Sequence, residues 1–269
     1  MDLVDKLFEE GFITISSFYD QTKIHGIRES VLKVEKIFQS RGGKVNNNGI
    51  HIEHPFLYDQ IFFEIIQEEK ICSIIETAIG EKITLVNTAL DNRQILKEKS
   101  DTPQVGSTWH TDSRYVQRGK VRLNYGFGYI AALCIDDFDD NNAATMYVPK
   151  SHLFKERPKR KLDPNEVEIK SVKAKAGDIF IFDTGLWHSA GSPTNKRRWG
   201  MFSMYSPWYF KPYYNYTNMF SDKEVLNMST RLLDLMHFTS NPPINQLERL
   251  DTLISADDVR SNLLEKILN

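Results

Sequence analysis

The chain has 269 residues, of which 41% are apolar and 12% aromatic. That is enough to fill one sizeable core and too apolar for a disordered chain. A formal charge of −2 gives no general attraction to nucleic acid, two cysteines (Cys72 and Cys134) are too few for a zinc finger or a disulfide framework, and no apolar run approaches a membrane span.

In chain order, Asp20 is placed to cap a helix whose apolar positions Ile24, Ile27, Val31, Val34 and Phe38 recur at helical spacing and which stops at Gly42-Gly43. A second helix is predicted from Glu68 to Ile79, with Ile71, Ile74, Ile75 and Ala78 inward and Gly80 as its stop. From Ile83 the chain becomes β-rich. Strands are predicted at Ile83 to Leu90, Tyr125 to Asp136, Thr145 to Val148, Val167 to Val172, Ile179 to Phe182 and Trp199 to Tyr205. Short strands separated by Pro, Gly and Asn turns suggest a double-sheet jelly roll, with the helices as buttresses. The segment from Lys155 to Asn165 is charged, carries Pro158 and Pro164, and reads as a solvated excursion. Helical spacing returns at Asp222 to Met236 and Ala256 to Leu268. There is no internal repeat, low-complexity segment or domain-scale linker, so residues 1–269 are read as a single domain. The opening residues lack the positive head and apolar stretch of a secretory leader, which makes the cytoplasm the expected compartment.

The chemistry concentrates in Trp109-His110-Thr111-Asp112 and in a lone His188 after Asp183-Thr184-Gly185-Leu186-Trp187. In extended backbone, side chains two residues apart share a face, so His110 and Asp112 point together while Thr111 points away. Two imidazoles and one carboxylate on one side of a metal form the facial triad of non-heme Fe(II) oxygenases, with positions left open for a co-substrate and O2. Ten residues past His188, strand alternation puts Arg198, Gly200, Phe202 and Met204 on one face. An inward guanidinium needs a buried anion, and its planar fork of donors matches a carboxylate such as that of 2-oxoglutarate. Arg197 is adjacent, and a register slip of one residue exchanges the two.

Other groups have plainer explanations. Trp109 and Trp187, each next to a proposed ligand, point away from the metal into the core, and Asp178 follows Gly177 as a turn residue. His152 belongs to the turn after Pro149, and His237 to a C-terminal helix. His51-Ile52-Glu53-His54 is a competing histidine cluster that lacks helical i,i+4 spacing and a third ligand. Arg114, Arg118, Lys120 and Arg122 form a basic cluster after the His-x-Asp segment. It is read either as solvated loop charge or, at Arg114 and Arg118, as contacts to an anionic substrate. The aromatic run from Trp208 to Tyr214 serves equally as pocket lining or as core packing.

Several separated segments together resemble the phytanoyl-CoA dioxygenase family of Fe(II)- and 2-oxoglutarate-dependent oxygenases, over roughly Phe8 to Met236. They are Glu9 to Ile15, similar to the family's first strand, Ser107 to Ser113, Ala131 to Phe138, Asn141 to Ala144, Val148-Pro149-Lys150-Ser151-His152, Lys175 to Asp178, His188, and Ser206 to Tyr209. The resemblance implies an α+β fold with a double-stranded β-helix (jelly-roll, cupin-like) core and flanking helices. It implies Fe(II) on His110, Asp112 and His188, with 2-oxoglutarate and O2 as co-substrates. Arg198 is the implied anchor of 2-oxoglutarate, because the family places that arginine just before a small residue and Gly200 fits. The implied reaction is hydroxylation of an unactivated C–H bond of a small molecule, polar, anionic or a natural-product intermediate, with release of succinate and CO2. Asp112 argues against halogenation, for which related enzymes replace the carboxylate by a small residue. Two departures stand out: Lys150 where a glycine is common, and Ala143-Ala144 in place of a glycine-containing pair, so the loop there is expected to differ in shape. A zinc hydrolase with the same three ligands, which would not need Arg198 or O2, or a jelly-roll binding protein without turnover, are the alternatives.

Overall fold

The computed structural model describes residues 2–45, 49–93, 108–113, 127–191, 196–240 and 254–268. In chain order these form α1 (Leu3–Glu10), β1 (Phe12–Ile15), α2 (Gln21–Ser40), β2 (Ile50–Glu53), α3 (Ile61–Ile66), α4 (Glu69–Ile79), β3 (Ile83–Asn92), β4 (Tyr129–Cys134), β5 (Thr145–Tyr147), β6 (Lys170–Ser171), β7 (Ile179–Asp183), β8 (His188–Ala190), β9 (Trp199–Pro207), α5 (Asp222–Leu226), α6 (Thr230–Leu235) and α7 (Ala256–Leu268). The strands make two antiparallel sheets. The larger runs β1-β7-β4-β9-β3-β2 and the smaller β6-β5-β8. This is the jelly-roll arrangement expected from the sequence, an α+β fold with helices against one face.

Side-chain alternation divides the core. Along β4, Tyr129, Ala131 and Leu133 join the helix-side cluster, while Ile130, Ala132 and Cys134 face the space between the sheets; β7 repeats the pattern with Ile179 and Ile181 against Phe180 and Phe182. Both faces of these central strands are buried, which explains their nearly continuous apolar runs. On the helix side α2 contributes Ile24, Ile27, Val31 and Val34, with the Asp20 carboxylate accepting from Lys23 N as its cap. Burial also pushes the Cys72 thiol up to about 12, and that of Cys134 higher still.

The helix predicted over Asp222 to Met236 is broken: α5 ends before Asn227, and Ser229 caps a new helix by accepting from Leu232 N. The strand predicted over Val167 to Val172 shrinks to Lys170–Ser171; of that predicted over Tyr125 to Asp136, Tyr129–Cys134 is strand, and its first two residues lie outside the described residues. The sequence reading did not place α1, α3, β2 or β8. His237 is not helical. It follows α6 with φ of 65°, buried against Tyr216, and its Nε2 meets Leu85 O at 3.2 Å. Among the described residues no helix is long and apolar enough to cross a membrane.

The two departures at glycine positions share a backbone feature. Ala143 and Lys150 both hold positive φ, 61° and 60°, the left-handed region that glycine favours. The backbone there keeps a glycine's conformation with side chains in place of glycine.

Candidate metal centre

His110 and His188 meet across one antiparallel bridge. The amide of each donates to the carbonyl of the other at 3.0 Å, which ties the 108–113 segment to β8 of the smaller sheet. Asp112 lies two residues on, in a bend and not in a regular strand, yet it faces the same side as His110. Its Oδ2 is 3.2 Å from His188 Nε2 and its Oδ1 3.6 Å from His110 Nε2. One ligand atom from each of the three residues lies within 4.8 Å of the others.

The protonation pattern suits a metal. His110 Nδ1 sits 2.8 Å from Thr108 O, and His188 Nδ1 sits 2.9 Å from Leu186 O. A carbonyl oxygen only accepts, so each Nδ1 must carry the proton that it donates. That leaves both Nε2 lone pairs free and converging on one space. Burial opposes a charged His188, but the Asp112 carboxylate outweighs it and raises the imidazole pKa. Burial, then the neighbouring His188, depress that of His110. Burial acts to raise the Asp112 pKa, and attraction to His188 more than reverses it.

The centre opens into a cavity of about 290 Å³ whose wall includes Ile130, Thr145, Phe182, Arg198 and Phe202. Arg198, just before β9, is 1% exposed. Its Nη2 donates to Ala143 O at 2.8 Å and its guanidinium stacks 4.3 Å from the centre of the Phe138 ring. Its Nε and Nη1 are buried with no hydrogen-bond partner among the described residues. Burial pushes the guanidinium down to about 10, which still leaves it charged at neutral pH. A buried guanidinium with two unused donor nitrogens on either side of Nη2 is an anion site, and the donor set fits a carboxylate. Arg197 faces the other way: it pairs with Glu35 on α2 and lies over Trp199.

Trp109 and Trp187 pack with Val148 away from the centre, as expected. Asp178 accepts from Ser17 N and Lys175 N, a turn role, and His152 Nε2 meets Phe8 O at 2.9 Å. The His51 cluster holds no metal geometry: His51 Nδ1 pairs with Asp91 Oδ1 at 2.8 Å, and His54 is buried against Tyr214 and Phe56. Arg114, Arg118, Lys120 and Arg122 lie outside the described residues. The sequence reading missed Asn87, Asp91 and Arg93, which also line the cavity, and gave His51 no place in it. Asn87, Asp91 and Arg93 sit at spacings of four and two along an apolar strand, an alternation that could have shown them.

The family model for phytanoyl-CoA dioxygenase matches residues 8–199. An uncharacterized protein of Mycobacterium tuberculosis is 27% identical over 246 residues, covering 87% of this chain and 85% of its own. Among solved structures, HygX from Streptomyces hygroscopicus with nickel and 2-oxoglutarate bound aligns with a TM-score of 0.60 at 13% identity, over 78% of this chain and 88% of that one. The epimerase SnoN in complex with Fe3+, alpha ketoglutarate and nogalamycin RO aligns with a TM-score of 0.58 at 16% identity, over 76% and 82%. These two likenesses bear on the fold. The match over 8–199 takes in β1 to β8 together with His110, Asp112, His188 and Arg198, and on it the chain belongs to the phytanoyl-CoA dioxygenase family of iron- and 2-oxoglutarate-dependent enzymes.

Proposed function

We propose that the chain hydroxylates an unactivated C–H bond of a small molecule, with His110 Nε2, His188 Nε2 and the Asp112 carboxylate holding Fe(II) and Arg198 anchoring the far carboxylate of 2-oxoglutarate. The observation that carries this reading is the buried Arg198 fork, with Nε and Nη1 unpartnered in the wall of the cavity that the three ligands share. A zinc hydrolase has no use for that group. When bound, iron and 2-oxoglutarate supply the oxidising chemistry, consuming O2 and releasing succinate and CO2.

The chain's own residues set the conditions. Thr108 and Leu186 carbonyls fix both imidazole tautomers and so keep the ligand lone pairs aimed. Asp112 contributes the single negative charge that partly neutralises the metal. The Ala143 carbonyl and the Phe138 ring hold the Arg198 guanidinium in one plane, so its free edge is presented without reorganisation. Ile130, Phe182 and Phe202 line the same cavity and exclude water from it.

Anaerobic titration of the metal-free protein with Fe(II) and 2-oxoglutarate tests the assignment through the visible charge-transfer band of the chelate. The band should form in wild type and be lost in His110→Ala. Arg198→Ala should need at least on the order of tenfold more 2-oxoglutarate, the loss of a charge-assisted bidentate contact. Iron binding without a band in wild type would overturn the co-substrate assignment.

A further inference from the structure

Beside the metal cavity lies a larger chamber of about 440 Å³, within the range of small-molecule sites. The two share Asp112, Met204 and Tyr213 as common wall. Their linings differ in kind. The metal cavity is rich in charge, with Arg198, Arg93, Asp91 and His51 on its wall. The chamber is walled by Val86, Phe127, Met204, Phe210, Pro212 and Tyr213, with the hydroxyls of Ser113, Thr184 and Ser206 among them. Phe127 and Phe210 stand with ring centres 5.7 Å apart at 45°. The segment that carries Phe210 to Tyr213 is tied down where Tyr213 N donates to Val86 O at 3.2 Å, next to the β-bulge in β3.

Among the described residues, the chamber's charged side chains are Asp112 and Lys211. Asp112 is committed to the metal, and Lys211 has no ion pair among the described residues. We propose that this chamber takes the main substrate, and that the substrate is an anion with an aromatic or otherwise apolar body, its carboxylate, sulfonate or phosphonate paired with Lys211. This rests on the oxygenase reading above and adds the substrate class and a specificity-determining residue. The two charges orient the ligand. An anionic group is drawn to Lys211 and repelled from Asp112, so the neutral end turns toward the shared wall and the metal. The aromatic walls then recognise the body by area and ring contact.

The test uses the full chain loaded with Ni(II), which is inert to O2, and saturating 2-oxoglutarate, so that the metal cavity is filled. Binding of 2-naphthoate, 2-naphthamide and 2-naphthylmethylamine is followed by naphthalene fluorescence. The acid should bind at least tenfold tighter than the amine. Lys211→Glu should weaken the acid at least fivefold, strengthen the amine and leave the amide within twofold, and Lys211→Arg should restore the acid. Equal affinities that ignore residue 211, no binding of any of the three, or displacement of the acid by 2-oxoglutarate would each overturn the proposal. The two readings fail separately. A protein that binds naphthoate through Lys211 but forms no iron chelate with 2-oxoglutarate sinks the oxygenase assignment alone. One that forms the chelate but ignores the charge at 211 sinks the substrate class alone.

Discussion

At the scale of single residues, Arg197 and Arg198 show how one step along a strand separates a structural role from a chemical one. Arg197 is 40% exposed on its side chain and pairs with Glu35; Arg198 is buried in the wall of the cavity that His110, Asp112 and His188 share. Arg197→Ala should therefore cost about 1 kcal/mol of stability or less by denaturant titration, as for other partly exposed pairs, and leave 2-oxoglutarate affinity unchanged. A matching loss of affinity would reverse the assignment. Two further histidines bear on pH. Burial lowers the pKa of both His54 and His237, and each ring lies near that of Tyr216. In the unfolded chain each returns to an ordinary value of about 6.5. The unfolded state therefore takes up protons first as pH falls, and stability is lost below about 6.5 and fully present above it. Melting temperatures measured from pH 8 to 5 should fall over the acid half of that range. His237→Gln should flatten the slope even if it lowers the plateau.

At the scale of elements, β9 shows what the small residue two positions after Arg198 makes room for. A Cβ on Gly200 would stand 2.8 Å from Phe138 Cζ and 3.1 Å from Phe202 Cε2, and Phe138 is the ring that backs Arg198. Gly200→Ala should push that ring aside, costing about 1–3 kcal/mol of stability by overpacking. It should also weaken 2-oxoglutarate several-fold in the charge-transfer titration; unchanged affinity would show that the ring does not position the guanidinium. This element was legible in advance because alternation put Arg198, Gly200, Phe202 and Met204 together. The proposed metal ligands stood out in the sequence for another reason, that His-x-Asp and a distant histidine come with recognisable flanking residues. What escaped was set by tertiary contacts. β8 is three residues long, and its partner His110 belongs to no strand, so neither carries a periodic signal. β2 carries His51 and Glu53 on its exposed face, which drew attention to the histidines and away from the alternation of Ile50 and Ile52. The break between α5 and α6 depends on Ser221 and Ser229 capping successive short helices within a stretch whose apolar spacing alone reads as continuous.

At the scale of the molecule, the proposed ligands and anchor come from different sheets. His188 lies on β8 of the smaller sheet, with His110 bridged to it, whereas Arg198 enters β9 of the larger. A chelate held by all of them would link the two layers. Ligands that bind only the folded state stabilise it by about 2.7 kcal/mol at a hundredfold excess over Kd. Scanning calorimetry should accordingly show a rise in melting temperature with Ni(II) and a further rise with 2-oxoglutarate, the latter abolished by chelating the metal. A 2-oxoglutarate effect of equal size without metal would contradict a chelate.

The two cysteines are placed for an enzyme that handles ferrous iron and dioxygen. Cys72 lies on α4 in the helix-side core and Cys134 on β4 between the sheets, both fully buried and both with pKa values raised by burial. Since the thiolate is the form that reacts with oxidants and alkylating agents, the native protein offers almost none. Oxidative inactivation in air should then fall on the exposed surroundings of the metal. Thiol capture by iodoacetamide should proceed only as fast as the layers open, which makes these two side chains built-in reporters of unfolding, one for each core.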